Sequence, residues 1–515
     1  TVYRKPNTHF PIQIYPITMN IKVTSKYLLF FFLFSLAAPT FANGIWDGGG
    51  DGTSWDDPLN WGDDLEPLAT DDVVIPAATT IQVRMAGEVA ESITFTDATS
   101  VLAVISGDLT VDQGTVGDLV EMPSGGTINI SEGGTLRLQN GDNGIDANNG
   151  ATVNNGGQLI FDDLDSEAFD INGAPLLLTN QASGTIQGIA PFSNDFINIA
   201  SNAAGTVITN SGTIRADMND EGTDFMDING QTTIRNNAGA LMDLDDIDDD
   251  VFNLGGDGTT FDNFGTVDIF ESGDEGFQLS NGTRFTNHSS GIIRTSEIED
   301  ELFEIANAQV TNEGLVEVNN IVGTGSVEGT DEVVDILNSN GRFTNNGTIT
   351  IIGVEDQALI EVDSGIFTNN NVINMGMGFP AAELMDEAID IDSTGQFVNT
   401  KCAIVNITST NPIEISAEGQ LTNDGIITTV FTGTNEIDGI FLNNGLVASP
   451  NGVFNSSPNG LTGSGKLQGS PIPATVSLCF IPVPTMSQWG LLIFGLLLLN
   501  MSLLLIRRLG KLHLN

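Results

Sequence analysis

A short motif ending in asparagine returns along most of this 515-residue chain and narrows its folding options more than any other feature. Apolar-Thr-Asn or apolar-Asn-Asn, followed within a few residues by glycine and an alternating apolar pair, puts Asn at 154, 180, 210, 236, 263, 287, 312, 345, 369, 399, 423 and 443. The eleven intervals cover 443 − 154 = 289 residues, about 26 each. A fixed period in this range means a solenoid, in which each unit buries its apolar face against the next.

A second motif interleaves with the first: an acid followed by apolar residues two and four places on. It reads Glu167/Phe169/Ile171, Asp195/Ile197/Ile199, Asp224/Met226/Ile228, Asp250/Phe252/Leu254, Glu275/Phe277/Leu279, Glu301/Phe303/Ile305, Glu332/Val334/Ile336 and Glu387/Ile389/Ile391, with Ala358 breaking one rung. Alternation with period two means strand, and no segment of the array carries a sustained helical period. Two or three short strands per unit, separated by Gly, Asn and Asp turns, fit one rung of an all-β parallel β-helix of triangular cross-section. Phe343, Ile349 and Ile351 should then point inward, and the glycines should supply positive φ at the corners. Two readings of the recurrent Asn stay open: an internal ladder of amides bonded rung to rung, or a residue that tolerates a left-handed turn. Looser strands around Ser92–Phe95, Thr127–Ile130 and 135–138 should form the first rungs. Such ladders resemble those of known right-handed β-helix proteins, which implies that hand here.

Signals flank the array. Met19 is followed by Lys22 and Lys26, an apolar run over 27–36 and Ala37-Ala38-Pro39-Thr40-Phe41-Ala42, the parts of a secretory signal peptide, with cleavage expected after Ala42. Residues 1–18 read as an upstream extension. At the other end, 490–506 is apolar apart from Asn500 and Ser502, long enough for one transmembrane helix. Arg507, Arg508 and Lys511 behind it place that end in the cytoplasm and the body outside. Just before this span stands Val483-Pro484-Thr485-Met486-Ser487-Gln488-Trp489-Gly490. With the apolar helix and basic end, this resembles the IPTL-CTERM sorting tail of Gram-negative surface proteins: Pro484, Thr485, Trp489 and Gly490 match, while Val483 and Met486 depart conservatively. The resemblance covers about the last 35 residues. It implies an exosortase-type processing enzyme as a partner, removal of the tail and transfer of the body to the surface; without that enzyme the tail is a membrane anchor.

The run Ile45-Trp46-Asp47-Gly48-Gly49-Gly50-Asp51-Gly52-Thr53-Ser54-Trp55, continued by Pro58-Leu59-Asn60-Trp61, resembles an opening module of exported bacterial β-solenoid proteins. Physically it sets three Trp beside the first rung, where an open β-edge needs cover; a carbohydrate-stacking site is the competing reading. The expected organisation is a cap over 43–78, β-helix repeats over 79–470, a linker over 471–482 and the sorting motif, helix and basic tail over 483–515.

Charge separates the function classes. The chain carries 67 acidic and 16 basic residues, net −51. Within 43–480 the basic residues are Arg84, Arg137, Arg215, Arg235, Arg284, Arg294, Arg342, Lys401 and Lys466, so the exported body stands at 9 − 67 = −58. Nucleic acid is excluded as a partner, because phosphates repel such a surface. A polysaccharide-active β-helix enzyme, lyase or glycoside hydrolase, is the runner-up. Among so many acids a carboxylate pair decides nothing. His288, in Asn-His-Ser, supplies neither half of the Gly-His-Gly and Arg-x-Lys pattern of polygalacturonases and reads as a turn residue.

Calcium is the better chemical expectation. In register, Asp224, Asp250, Glu275, Glu301 and Glu332 stack along one edge, several preceded by a second acid (Asp249, Asp274, Asp300, Asp331). Carboxylates ~4.8 Å apart repel, and Ca²⁺ accepts six to eight oxygens and is plentiful outside cells. The ligand candidates are Asp249, Asp250, Asp274, Glu275, Asp300 and Glu301; the densest run is Asp243, Asp245, Asp246, Asp248, Asp249 and Asp250. The competing reading is a solvated acidic edge that keeps the fibre soluble. Cys402 and Cys479 either pair, since export permits a disulfide, or stay free. The expectation that emerges is an exported structural or adhesive β-solenoid meeting surface or matrix glycans or proteins.

Overall fold

The computed structural model describes residues 44–448, apart from 115–116, 219–223, 322–331, 355–358, 377–386, 409–410 and 431–434, together with 461–462 and 466–468. The signal segment with Ala42, the sorting residues Pro484, Thr485, Trp489, Gly490, Arg507 and Arg508, the span 490–506, Asp331 and Cys479 lie outside the described residues. Among the described residues no helix is long and apolar enough to cross a membrane.

The array is a parallel β-solenoid of the right-handed type with rungs of about 26 residues. Each rung contributes one strand to each of three sheets of 17, 16 and 15 strands. One rung shows the order: Phe252–Leu254 in sheet 1, Thr260–Asn263 in sheet 2, Thr266–Ser272 in sheet 3, before the chain re-enters sheet 1 at Phe277–Ser280. Pairing is parallel and in register, so Phe252 lies over Phe277 and Asn263 over Asn287. That register follows from the side-chain period of two: a slip by one residue would turn the whole apolar set outward.

The inward positions form one continuous core. Phe343 and Ile351 are fully buried and Ile349 nearly so. Like residues meet on neighbouring rungs: Phe252 and Phe277 stack at 4.8 Å, Phe277 and Phe303 at 5.0 Å, and Phe343, Phe367 and Phe397 at 4.9 and 5.0 Å. A fully buried Phe contributes roughly 1.5–3 kcal/mol, so rungs cohere through these columns as much as through backbone bonds.

The first rungs begin at Asp72–Ile75 and Thr80–Val83, and the preceding segment covers both strands. Gly44–Ile45 pairs with Asp72–Ile75, and the backbone of Thr53 and Trp55 bonds Gln82. Asp51 ties this loop: its carboxylate accepts from the Ser54 hydroxyl and N–H, from Asn60 Nδ2 and from Thr53 N–H, which holds its pKa far below the usual range. Trp46, Trp55 and Trp61 pack edge to face at 5.0 Å and are buried, so none presents a ring face on which a sugar could stack.

Two expectations need correction. The first ladder residue is Asn155, whereas Asn154 faces outward and bonds Asn129 on the preceding rung. Corner glycines also split into two kinds. Gly239 and Gly282 do adopt positive φ, both at 83°. Gly291 does not; a Cβ there would stand 2.2 Å from Asn287 Oδ1 and 2.5 Å from the Asn263 carbonyl, so close approach of rungs, not backbone handedness, demands glycine. Cys402 is disulfide-bonded.

Candidate functional site

Two corners of the solenoid carry stacked polar side chains along much of its length. Between sheets 2 and 3, Asn155, Asn180, Asn210, Asn236, Asn263, Asn287, Asn312, Asn345, Asn369, Asn399, Asn423 and Asn443 form an unbroken ladder. Every Nδ2 donates to Oδ1 of the next Asn at 2.8–2.9 Å. The second amide proton goes to a carbonyl at the start of the next sheet 3 strand, as from Asn287 to Leu315 at 3.1 Å. Oδ1 can also accept the backbone N–H two residues on, as at Gly212 and Gly314. None of these Asn has positive φ, so of the two sequence readings the ladder holds.

Between sheets 3 and 1 the equivalent column is acidic. Backbone register aligns Phe169, Ile197, Met226, Phe252, Phe277, Phe303 and Val334, and therefore stacks Glu167, Asp195, Asp224, Asp250, Glu275, Glu301 and Glu332 two places before them. These side chains are not a solvated fringe. Asp224, Asp250, Glu275, Glu301 and Glu332 are 7, 4, 6, 7 and 2% exposed. One oxygen can accept the backbone N–H of the acid on the next rung, as Asp195 does from Asp224 and Asp250 from Glu275. Glu275 Oε2 and Glu332 Oε2 are buried with no hydrogen-bond partner.

Where a rung supplies two consecutive acids, the carboxylates converge. Asp249, Asp250 and Asp274 bring one oxygen each within 4.8 Å of one another, as do Asp274, Glu275 and Asp300, and Asp300, Glu301 and Glu332. Every ligand candidate named from the sequence thus falls in one of three linked groups, and Glu332 joins them. Of the dense run, Asp249 and Asp250 enter a group, Asp243 instead pairs with Arg215, and Asp246 occupies a left-handed kink.

Burial, reinforced by neighbouring charge, pushes Asp250, Asp274, Glu301 and Glu332 upward in pKa. Burial acts on Glu275 too, but hydrogen bonds from Asp250 and from its own backbone N–H outweigh it and hold Glu275 down. Further along the column, burial raises Asp195 to about 7 and Asp224 to about 8.

A second acidic column, missed by sequence reasoning, runs up the outward face of sheet 1. It consists of the residue between the two inward apolar positions. From Glu304 to Glu436 every described rung places an acid there (Asp335, Glu361, Asp390 and Glu414 between them), before Thr462 ends the run. Earlier rungs mix acids with amides, such as Asn198, Asn253 and Gln278. Burial raises Glu304 and Asp335 to about 7, and Asp170 and Asp146, lower in the column, to about 6. A fourth group, Glu361, Asp390 and Asp392, lies on this face. Its signal in the sequence is the middle letter of Phe-Glu-Ile or Ile-Glu-Val, between the apolar residues that define the motif.

The nine cations of the body lie elsewhere. Arg235, Arg284, Arg342 and Lys466 stand in sheet 2, Arg137, Arg215 and Arg294 in sheet 3, and Arg84 and Lys401 between those sheets. On sheet 3 they meet acids: Arg137 with Asp162 at 2.5 Å, Arg215 with Asp243 at 2.8 Å, and Arg294 with Asp268 and Glu317 at 3.4 Å each. No described strand of sheet 1 contains Lys, Arg or His. His288 lies at a turn, stacked on Phe264 at 3.8 Å with Nε2 2.9 Å from Asp262.

No family model and no curated protein matches the chain. Among solved structures, the chain is similar to a TibC-catalysed hyper-glycosylated TibA fragment, at 13% identity and a TM-score of 0.19, covering 76% of this chain and 97% of that one. At that TM-score the likeness carries no weight for function.

Proposed function

We propose that this protein is an exported, non-catalytic surface β-solenoid of structural or adhesive function, stiffened by calcium along its acidic corner and delivered to the cell envelope by its C-terminal signal. The observation that supports this best is segregation of charge along the array. Among the described residues sheet 1 and its leading corner carry repeated acids and no cation, whereas every basic residue of the body lies in sheets 2 and 3 or at the corner between them. A periodic surface of this kind offers an extended contact area to a matrix glycan or protein instead of one pocket. An acid-only column near the core also favours a divalent counter-ion, for which oxygen ligands suit calcium. A groove of about 250 Å³ lined by Ala98, Gly125, Thr127, Asn149, Pro175 and Leu177 contains no ionisable side chain with which to do acid–base chemistry.

The sorting reading adds an exosortase-type enzyme as processing partner, acting at Pro484, Thr485, Trp489 and Gly490, with Arg507 and Arg508 left inside the cell. Protease shaving of intact cells tests the export reading: the body is expected in the released fraction, and changing Trp489 and Gly490 to Ala should retain it with the membrane. Protection of the body from external protease would overturn surface exposure. Turnover of any polysaccharide in a hydrolase and lyase screen of the purified protein would replace the non-catalytic reading with the enzyme one.

A further inference from the structure

We infer that the corner between sheets 3 and 1 holds a row of three calcium-class cations, one in each carboxylate group from Asp249 to Glu332, with Asp274 and Asp300 each bridging two neighbouring ions. The inference rests on the calcium reading above and specifies where, how many and in what linkage.

Connectivity of the groups carries it. Asp274 belongs to the first and second groups and Asp300 to the second and third, so the three are not separate clusters but one chain of oxygens. Acid clusters alone are common on protein surfaces. This one differs because Glu275 and Glu332, 6 and 2% exposed, each bury a side-chain oxygen that has no hydrogen-bond partner. A buried carboxylate oxygen without a donor is costly, and although the other oxygen of Glu275 is hydrogen-bonded, Oε2 of Glu275 and of Glu332 has no donor in reach. Among the described residues no base on sheet 1 can serve, which leaves an external cation as the charge partner.

Charge and chemistry fix the ion class. The seven carboxylates total −7, and three dications bring the row to −7 + 6 = −1, whereas two would leave −3. The donors are all carboxylate oxygens, with no thiolate or imidazole to select zinc or copper. Asp249, Asp274 and Asp300 remain half-buried, so solvent reaches one side of the row and water can complete a coordination shell. Magnesium demands a tighter octahedron and sheds water reluctantly, while calcium accepts irregular shells of six to eight oxygens.

Length is set by sequence. Before Asp224 and Asp195 stand Thr223 and Asn194 instead of a second acid, and beyond Glu332 the column position is Ala358. The groups therefore form on consecutive rungs that each supply adjacent acids, and although such a pair recurs at Asp386-Glu387, Ala358 interrupts the column before it. Bridging makes the sites interdependent: an ion in the central group orders Asp274 and Asp300 for both neighbours.

The test is calcium titration of the chelator-treated full-length protein by calorimetry, with magnesium as comparator and far-UV circular dichroism to verify the fold. Asp300→Ala should remove two calcium ions from the wild-type count, because it serves two groups, and Glu332→Ala should remove one. If the alanine variant at 300 is unfolded, Asp300→Asn, which keeps the shape, should abolish cooperative filling of the row. Loss of a single ion in Asp300→Ala, or none, would overturn the bridged row and leave calcium binding standing; absence of calcium binding by the wild type would overturn both.

Discussion

Along most of the array an amide stacks on an amide at one corner, and from Glu167 to Glu332 a carboxylate stacks on a carboxylate at another. Both columns repeat at the strand spacing of ~4.8 Å and both adjoin the core. Their difference lies in hydrogen-bonding inventory. An amide carries donors and an acceptor, so each Asn satisfies the next and the ladder is complete within the chain. A carboxylate only accepts, so a column of them is complete only when a proton or a cation is added. The same backbone geometry therefore yields a structural spine at the corner between sheets 2 and 3 and a ligand-dependent one at the corner between sheets 3 and 1.

Exchanging the two chemistries should produce the largest effect. Asn287→Asp removes the donors to Asn312 Oδ1 and to the Leu315 carbonyl and puts a charge inside the ladder. The expected loss is on the order of 3–5 kcal/mol, read as a lower urea midpoint, with the rungs on either side losing amide-exchange protection first. Retention of wild-type stability would mean that the ladder is incidental to the fold.

pH sharpens the contrast next. Asp195 and Asp224 have folded-state pKa values of about 7 and about 8, above the ordinary 3.8. Between those limits the unfolded chain has released protons that the native state keeps. Their contribution is therefore whole below about pH 4 and disappears as pH rises through 7–8. In chelator, the melting temperature should fall by several degrees between pH 5 and pH 8.5, at roughly 2–4 °C per kcal/mol. Asp51, held low by its hydrogen bonds, acts in the opposite sense only in strong acid. A melting temperature that rises over this range would contradict the burial of the acid column.

A smaller effect with a reversal of sign is expected of Glu332→Gln. An amide there brings donors to a corner that lacks them, so in chelator the variant should be more stable than wild type by about 1–2 kcal/mol. In millimolar calcium it should be less stable, for want of a ligand. Equal effects in both media would separate the buried oxygen of Glu332 from cation binding.

The smallest effect belongs to the exposed face of sheet 3. Arg215 and Asp243 are largely in solvent, with side chains 54 and 39% exposed. Arg215→Ala should change stability by about 0.5 kcal/mol or less in urea unfolding. A larger change would mean that this face, too, depends on charge.

Much of the contrast was legible in the primary structure, because both columns arise from a strict period. With Phe, Ile and Leu inward, the acid two places earlier and the Asn closing the second strand fall into register from the period alone. Failures came from parity. At Val153-Asn154-Asn155 two amides compete for one ladder position, and a shift by one residue exchanges the interior for the exterior. The outer column from Glu304 to Glu436 was hidden for the same reason, since it sits between the residues that defined the motif. Burial of the acids was beyond the sequence: composition announced a soluble acidic edge, and only stacking reveals that Glu332 is 2% exposed. The role of Gly291 likewise depends on how closely successive rungs approach, which no single rung encodes.

The most direct test of the account is thermal unfolding of the purified protein at pH 7.5 in chelator and again in millimolar calcium. Calcium is expected to raise the melting temperature by a large amount, mass action stabilising the state that binds, and by much less in Asp300→Asn. An unchanged melting temperature in wild type would contradict this expectation, leaving the acid corner to be completed by protons alone.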